Sequence, residues 1–485
     1  MSLEPLVFEK SSAGRAGVSL PPVDVPERRP AEYVGRDNLR GDLDLPELSQ
    51  IDVIRHFTHL SSMNYGVDTG FYPLGSCTMK YNPKINEEIA ALPGFSRLHP
   101  YQAEDLCRGM LCILYDMQVF LAEIAGMDAV TLQPAAGAQG ELTGLMLFKR
   151  HHERAGEGRR HIIIVPDSSH GTNPATAARC GYDIVKFPSG ENGLVDCSAL
   201  AGQLSDEVAA VMLTNPNTLG LFESDIKKIS QLIHDSGALL YCDGANMNAI
   251  LGIHRPGDAG VDAMHFNLHK TFGSPHGGGG PGSGPVAVKG FLKPYLPIPT
   301  IEYSAGKYCL DSDRPESIGR LHPFFGNVGV ILRSYAYILS QGPDGLKRVA
   351  ENAVLNANYL LTKAKTAYDV PYDGRCMHEF VASAARQKAL GVRALDIAKR
   401  LIDYGFHPPT VYFPLIVAEA LMIEPTETES VETLDAFAEA LLAIAREAES
   451  DPEIVRTAPH NTPVTRLDET AAARNMELRW GKPGD

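Results

Sequence analysis

Residues 238–273 read ALLYCDGANMNAILGIHRPGDAGVDAMHFNLHKTFG. Two short apolar runs, Ala238–Cys242 and Asp262–Phe266, are bounded by Gly, Asn and Asp, which is the pattern of buried strands ending in turns. The first run delivers a carboxylate, Asp243, at its end. The second leads to Lys270, 27 residues further on, beside a glycine-rich segment at 277–284. Similar runs recur on both sides at Ala129–Leu132, His161–Val165, Asp183–Phe187, Val208–Thr214 and Pro285–Val288. Helical patterns over Gln139–Glu153, Pro174–Cys180 and Ser224–Ser236 alternate with them. Strand–helix alternation of this kind predicts an α/β fold, a mostly parallel sheet covered on both faces.

Beyond Leu332 the texture changes. Helices are expected over Gly345–Tyr368, Ala394–Tyr404 and Val431–Glu447, with strands at Arg375–Ala382 and Glu419–Ile423. That describes a smaller C-terminal α+β domain, in which Ser430 is available as an N-cap. The first fifty residues hold six prolines and little periodicity, so an extended arm is expected there. The resulting division is an arm and linker over 1–100, a large α/β domain over 101–332, a small domain over 333–460 and a tail over 461–485.

Composition narrows the function. The 485 residues carry 44 Lys+Arg against 59 Asp+Glu, a net charge of −15, which disfavours nucleic acid and anionic membranes as partners. No apolar run is long enough to span a bilayer, and the N-terminus lacks the features of a signal peptide. The eight cysteines are dispersed without a CxxC, as expected of reduced thiols in the cytoplasm.

Three features lie at expected strand ends, where open α/β sheets bind ligands. Pro134–Glu141 (PAAGAQGE) is a small-residue turn opening a helix, suited to an anion. It matches neither GxGxxG nor a P-loop, which disfavours dinucleotides and nucleoside triphosphates. Taken singly, Asp243 reads more readily as the cap of a turn, and a lone lysine as a solvated surface group. Together the three supply what pyridoxal phosphate requires: an amine for a Schiff base, a carboxylate for the pyridine nitrogen and a helix start for the phosphate. His170, after another strand, is a candidate for the ring face. His265 and His269 stand four apart, about 13 Å along one strand face, and no Glu completes a helical zinc motif. No metal is expected.

The motifs GSCTMKYNP (75–83), QPAAGAQGE (133–141), PDSSHGTNPA (166–175), TNPNTLGLFE (214–223), YCDGANMNAI (241–250), HFNLHKTFGSPHGGGGPGSGP (265–285) and IEPTETES (423–430) resemble the pyridoxal-phosphate-dependent glycine decarboxylases, the P-proteins of the glycine cleavage system. The resemblance covers residues 60 to 460 and matches the C-terminal, lysine-bearing half of the long form, which is subunit 2 of the two-chain bacterial form. It implies a fold-type I, aspartate-aminotransferase-like architecture. By the same resemblance Lys270 is the Schiff-base lysine, Asp243 the pyridinium partner and His170 the stacking residue. Ala136, Gly137 and Ala138 would bind phosphate, Ala245 would pack under the ring, and Asn267 and His269 would border the pocket. Asn217 and Thr218 would lie near the cofactor hydroxyl.

The implied activity is decarboxylation of glycine, with release of CO2 and transfer of the aminomethyl group to the lipoyl arm of the H-protein. The implied assembly pairs the chain with a lysine-lacking homologous subunit 1, two copies of each. A stand-alone aminotransferase or cysteine desulfurase is the alternative, the former left open by Arg375 and Arg393. The GSCTMK motif, with Cys77 and Lys80, has no role that the residues alone reveal.

Overall fold

A computed structural model of the chain describes residues 3–41, 43–276, 282–372 and 374–481. Residues 277–281 of the glycine-rich segment fall outside the described residues. The chain divides into two compact units, Met1–Gly70 with Pro459–Asp485, and Phe71–Ala458. In the first unit the proline-rich stretch contains only short helical turns before the helix Gln50–Met63. Ser49 caps that helix by accepting from the N–H of Asp52, whose carboxylate in turn accepts from the Ser49 N–H. The helices Gln50–Met63 and Lys84–Ala91 both fall within the stretch 1–100, where an extended arm and linker is expected.

The second unit is built on a seven-stranded sheet: β1 (Ala129–Thr131), β2 (Ile162–Pro166), β3 (Asp183–Phe187), β4 (Val208–Thr214), β5 (Leu239–Gly244), β6 (Ala263–Phe266) and β7 (Val286–Val288). Their order is β1-β7-β6-β5-β4-β2-β3. The pairs β2–β3, β2–β4, β4–β5 and β5–β6 are parallel, and β7 runs antiparallel to both neighbours. Every residue of β4 and β5 is buried, as a strand covered on both faces requires. The architecture is α/β and mostly parallel.

The helix Gly137–Arg154 lies close against the sheet because it presents glycine there. A Cβ on Gly144 would stand 2.2 Å from the Tyr241 ring, so any larger residue would lift the helix from β5.

Two departures have local causes. A hairpin of β8 (Thr300–Ser304) and β9 (Lys307–Asp311) turns at Ala305 and Gly306, both at positive φ. Its strands are half-buried and lack a clean apolar run, so periodicity does not reveal it. The helix expected from Gly345 belongs to a longer element, Val328–Ala364, interrupted at Gly342 (φ 61°, ψ 179°) before Pro343. Proline lacks the N–H needed to continue a helix but suits a first turn, so a second helical segment starts there.

The C-terminal part carries a small antiparallel sheet of β10 (Phe380–Ser383), β11 (Thr410–Val411) and β12 (Ala420–Ile423), with β12 in the middle. The helix Val431–Ser450 packs its apolar stripe, including Leu434, Phe437, Leu441 and Ile444, into one core with this sheet. The Ser430 hydroxyl accepts from the Thr433 N–H as its cap. The GSCTMK motif joins β12, with the Gly75 N–H donating to the Met422 carbonyl at 3.3 Å. No described helix is long and apolar enough to cross a membrane.

Candidate active site

Strand register sets the site. Thr214, Asp243 and His265 are direct neighbours across β4, β5 and β6 at the carboxyl ends of those parallel strands. A cavity of about 180 Å3 opens there. It is lined by nine of the residues expected from sequence: Gly137, Ala138, His170, Thr218, Asp243, Ala245, Asn267, His269 and Lys270. Two others stand apart from the lining. Ala136 is exposed and forms the N-cap of Gly137–Arg154 in extended conformation. Asn217 spends its side chain on its own turn, donating to the Gly193 carbonyl and accepting from the N–H groups of Leu219 and Leu221.

Asp243 is held from several directions. Its Oδ1 accepts from the Ala245 N–H at 3.0 Å, and its Oδ2 accepts from Asn173 Nδ2 at 3.1 Å. His265 Nε2 lies 3.3 Å from Oδ1. Burial alone would raise the pKa of this carboxyl. His265, the Ala245 N–H, Lys270 and Asn173 outweigh burial and hold it below the usual range.

Tyr241 fixes the ring of His265, its hydroxyl 2.9 Å from Nδ1. Burial pushes the tyrosine pKa far up, so the hydroxyl keeps its proton, and burial also keeps His265 neutral. Tyr241 therefore donates to Nδ1, and the proton of neutral His265 sits on Nε2, facing Asp243. Beside them, burial and then the Asp243 charge push Glu141 up to about 7. Glu141, Asp243 and His265 present ligand atoms within 4.8 Å of one another.

Lys270 Nζ donates to the Ser76 carbonyl at 2.7 Å. The strand reading of His265 and His269 needs correction here. β6 ends at Phe266, and Asn267 turns the chain into the short helix Leu268–Thr271, accepting the N–H groups of Lys270 and Thr271 on its carbonyl. The two histidines thus occupy different elements. His269 is held neutral by burial, followed by His276 and Lys270, which lower its pKa to about 3. His170 Nδ1 lies 2.8 Å from Thr172 Oγ1, and that hydroxyl donates to Glu141 Oε1 at 2.7 Å. The Thr218 hydroxyl donates to the Ser168 carbonyl.

The lining also includes Ser76, Glu141, Thr172, Thr214, Asn246 and His265, which the sequence analysis does not select. All six lie within the quoted motifs, each of which stood out for other residues. Lys80 has a visible role as well. Its Nζ donates to the Thr271 carbonyl at 2.6 Å and to Glu427 Oε1 at 2.7 Å, tying the GSCTMK motif to the turn that carries Lys270.

Known proteins resemble the chain in both sequence and fold. Residues 349–462 match the family described as glycine dehydrogenase, C-terminal domain, and residues 143–279 match the aminotransferase class-V family. The chain is 59% identical over 478 residues to a probable glycine dehydrogenase (decarboxylating) subunit 2 of Caldanaerobacter subterraneus subsp. tengcongensis, covering 98% of this chain and 99% of the relative. A protein of the same name from Listeria monocytogenes is 58% identical, with 99% and 100% covered. Among solved structures, a glycine decarboxylase (P-protein) of the glycine cleavage system in inhibitor-bound form superposes with a TM-score of 0.71 at 22% identity, covering 85% of this chain and 93% of that one. The fold is shared with a glutamate decarboxylase of Lactobacillus brevis at a TM-score of 0.64. With near-complete coverage at this identity, the chain belongs to the family of glycine dehydrogenase (decarboxylating) subunit 2.

Proposed function

We propose that this chain is the cofactor-bearing subunit of a glycine decarboxylase. It uses pyridoxal 5′-phosphate to release CO2 from glycine. The aminomethyl group passes to the lipoyl arm of an H-protein, an oxidoreductase step in which the lipoyl disulfide is reduced. The observation that carries this reading is the convergence of Lys270 and Asp243 on one cavity from the ends of adjacent strands.

The cavity fits such a group. Glu141 Oε2, Thr214 Oγ1 and Asn267 Oδ1 line it as buried atoms without hydrogen-bond partners, and a polar ligand would satisfy them. Gly137 leaves backbone at the wall, since a Cβ there would stand 2.3 Å from Asn267 Oδ1. We assign Lys270 as the covalent anchor, Asp243 as partner of the ring nitrogen, and His170 and Ala245 as the ring's neighbours. Gly137 and Ala138 at the helix start are assigned to the phosphate, with Ala136 contributing backbone only. Thr218 is assigned to the hydroxyl side, and Asn267 and His269 to the rim. Asn217 acts through its turn.

When bound, the cofactor supplies an electron sink for the pair left behind by CO2. Asp243, kept ionised by its neighbours, holds a proton on the ring nitrogen. Holding it against a three-unit deficit in pKa takes about 4 kcal/mol at 1.36 per unit. One buried carboxylate suffices, because breaking such a pair costs about 3–5 kcal/mol. His265 and His269, held neutral by burial, add no positive charge beside the ring, and His265 keeps its Nε2 proton toward Asp243.

Relatives are named as a subunit 2, which supports a partner chain. We assign that partner as a lysine-lacking subunit 1, two copies of each, in the cytoplasm, with the lipoylated H-protein as acceptor. We also retain the division into 1–100, 101–332, 333–460 and 461–485. The rival readings find less support. Among the described residues no arginine lines the cavity to take a second carboxylate, so Arg375 and Arg393 gain no such role. Burial raises the Cys77 thiol pKa, which leaves it a poor desulfurase nucleophile. The test is glycine–bicarbonate exchange by the chain loaded with pyridoxal phosphate, with and without subunit 1 and H-protein. Exchange is expected only in the complete mixture, and its absence there overturns the proposal.

A further inference from the structure

Behind the cavity, three fully buried side chains meet: His378 and Glu379, just before β10, and Glu424, just after β12. Glu379 Oε2 accepts from the Ser76 N–H at 2.7 Å. Glu424 accepts from the Thr78 N–H at 2.9 Å, from the Thr78 hydroxyl and from Asn248 Nδ2 at 3.2 Å. The turn they grip is strained, with Ser76 at φ 64° and Thr78 at φ 50°, a region that non-glycine residues seldom occupy. The carbonyl of Ser76 is the one that receives Lys270 Nζ. The carboxylates therefore hold one side of the turn while Lys270 uses the other.

Three atoms in this cluster lack a partner: both ring nitrogens of His378, and Glu379 Oε1. His378 Nε2 lies 3.7 Å from Glu379 Oε1 and 4.0 Å from Glu424 Oε1. Two ionised carboxylates with oxygens within 4.8 Å of each other would repel in a dry interior at a high desolvation penalty, and the single N–H of neutral His378 cannot satisfy both. A single proton turns one acceptor into a donor. Glu424, with three donors around it, is the better-solvated carboxylate and keeps the charge. Glu379, with one, is the group to protonate.

Among the described residues, the charged and titratable groups facing the cluster are Lys270 and Cys77, besides the three themselves. Burial, then the charge of Glu424, drives the pKa of Glu379 far up. Burial, then Lys270, keeps His378 neutral, with a pKa of about 3. We propose that His378, Glu379 and Glu424 hold one proton in common beyond the imidazole's own, and that this shared proton fixes the Ser76–Thr78 turn as the acceptor for Lys270. The three are positioning residues. The consequence for cofactor binding rests on Lys270 being the anchor, whereas the shared proton does not.

The test separates these parts. Infrared difference spectra of the cofactor-free chain near pH 8 should show the carbonyl band of a protonated carboxylic acid, and Glu379→Gln should abolish it. Glu379→Ala should weaken retention of pyridoxal phosphate by roughly tenfold or more, and Glu379→Gln should restore most of it, because an amide also donates toward His378. Glu424→Gln removes the charge facing Lys270 and should lower the pH midpoint of the bound cofactor's visible band by about half a unit or more. Absence of the acid band, a glutamine variant as damaged or as insoluble as the alanine variant, or one divalent metal ion per chain lost with Glu379→Ala would overturn the proposal. An acid band in a chain that never anchors pyridoxal phosphate would instead refute the functional reading and leave the shared proton standing.

Discussion

Replacing Tyr241 by Phe tests whether Asp243 is oriented through a chain of buried groups. The change leaves the aromatic ring in its packed place against Gly144 and removes one oxygen. That oxygen is the donor to His265 Nδ1 at 2.9 Å, and both residues are fully or almost fully buried. Stripping the donor leaves a desolvated acceptor unmatched, a loss of about 1–3 kcal/mol in folding stability. His265 is then free to carry its proton on Nδ1, which turns a bare lone pair on Nε2 toward Asp243 at 3.3 Å. If this moves the balance at Asp243 by one pKa unit, exchange slows about tenfold.

Urea unfolding followed by circular dichroism should show a lower midpoint at unchanged slope, and exchange with saturating glycine should fall about tenfold. A double variant supplies the decisive comparison. If Tyr241 acts through His265, then Tyr241→Phe combined with His265→Asn should cost little more than His265→Asn alone. Additive losses, or a Tyr241→Phe protein within about 0.5 kcal/mol of the parent and equally active, would refute the relay.

Lys270→Ala should abolish both exchange and the visible band of bound cofactor while leaving far-ultraviolet circular dichroism unchanged; a borohydride-stable adduct at another residue would count against the anchor. Asp243→Asn should retain cofactor yet slow exchange about a thousandfold, the equivalent of about 4 kcal/mol. Lys80→Met leaves the Glu427 carboxylate unpaired in the interior and should destabilise the chain by about 3–5 kcal/mol in urea unfolding. Stability should also depend on pH in a two-part manner. His269, His276 and His378 have folded pKa values of about 3, about 4 and about 3, so below about pH 6.5 the unfolded chain takes up protons that the folded chain refuses. Glu141 and Glu223, both raised to about 7, together with Glu379, work the other way, since between about pH 7 and 4.5 the folded chain holds protons that the unfolded chain releases. Below that point the opposition ends and the contribution of the buried histidines remains, so the melting temperature of the cofactor-free chain should change gently from pH 6.5 to 5 and fall steeply below about 4.5. A flat profile to pH 4 would show that these histidines are not buried neutral.

Much of the sheet is legible in the sequence because its central strands are buried on both faces. A run such as Val208–Thr214, apolar through Leu213 and closed by Asn-Pro, has few other readings. The hairpin at Thr300–Asp311 escapes for the opposite reason: its strands expose Lys307 and Glu302 to half-solvated surroundings, and its alternation is broken. The helix break at Gly342–Pro343 is written in those two residues. What cannot be read from them is that an ordered helix precedes the break.

The site shows the same contrast at shorter range. Asp243 and Lys270 announce themselves because Asp243 ends one recognisable strand and Lys270 follows the next, and parallel register then makes neighbours of β5 and β6. Glu141 and Thr172 sit inside motifs marked by other residues. Their link to each other, and through Asn173 to Asp243, depends on the packing of two helices that follow different strands. The turn at Ser76–Thr78 is harder still. Its meaning lies in Glu379 and Glu424, 303 and 346 residues away from their partners. A glutamate in a strand-like stretch reads locally as surface, and only the fold reveals that both are fully buried. Burial of an acid whose hydrogen-bond partners lie hundreds of residues away is thus the signal that sequence patterning misses and structure supplies. Here it connects the small C-terminal sheet to the amine of Lys270 through a single backbone carbonyl.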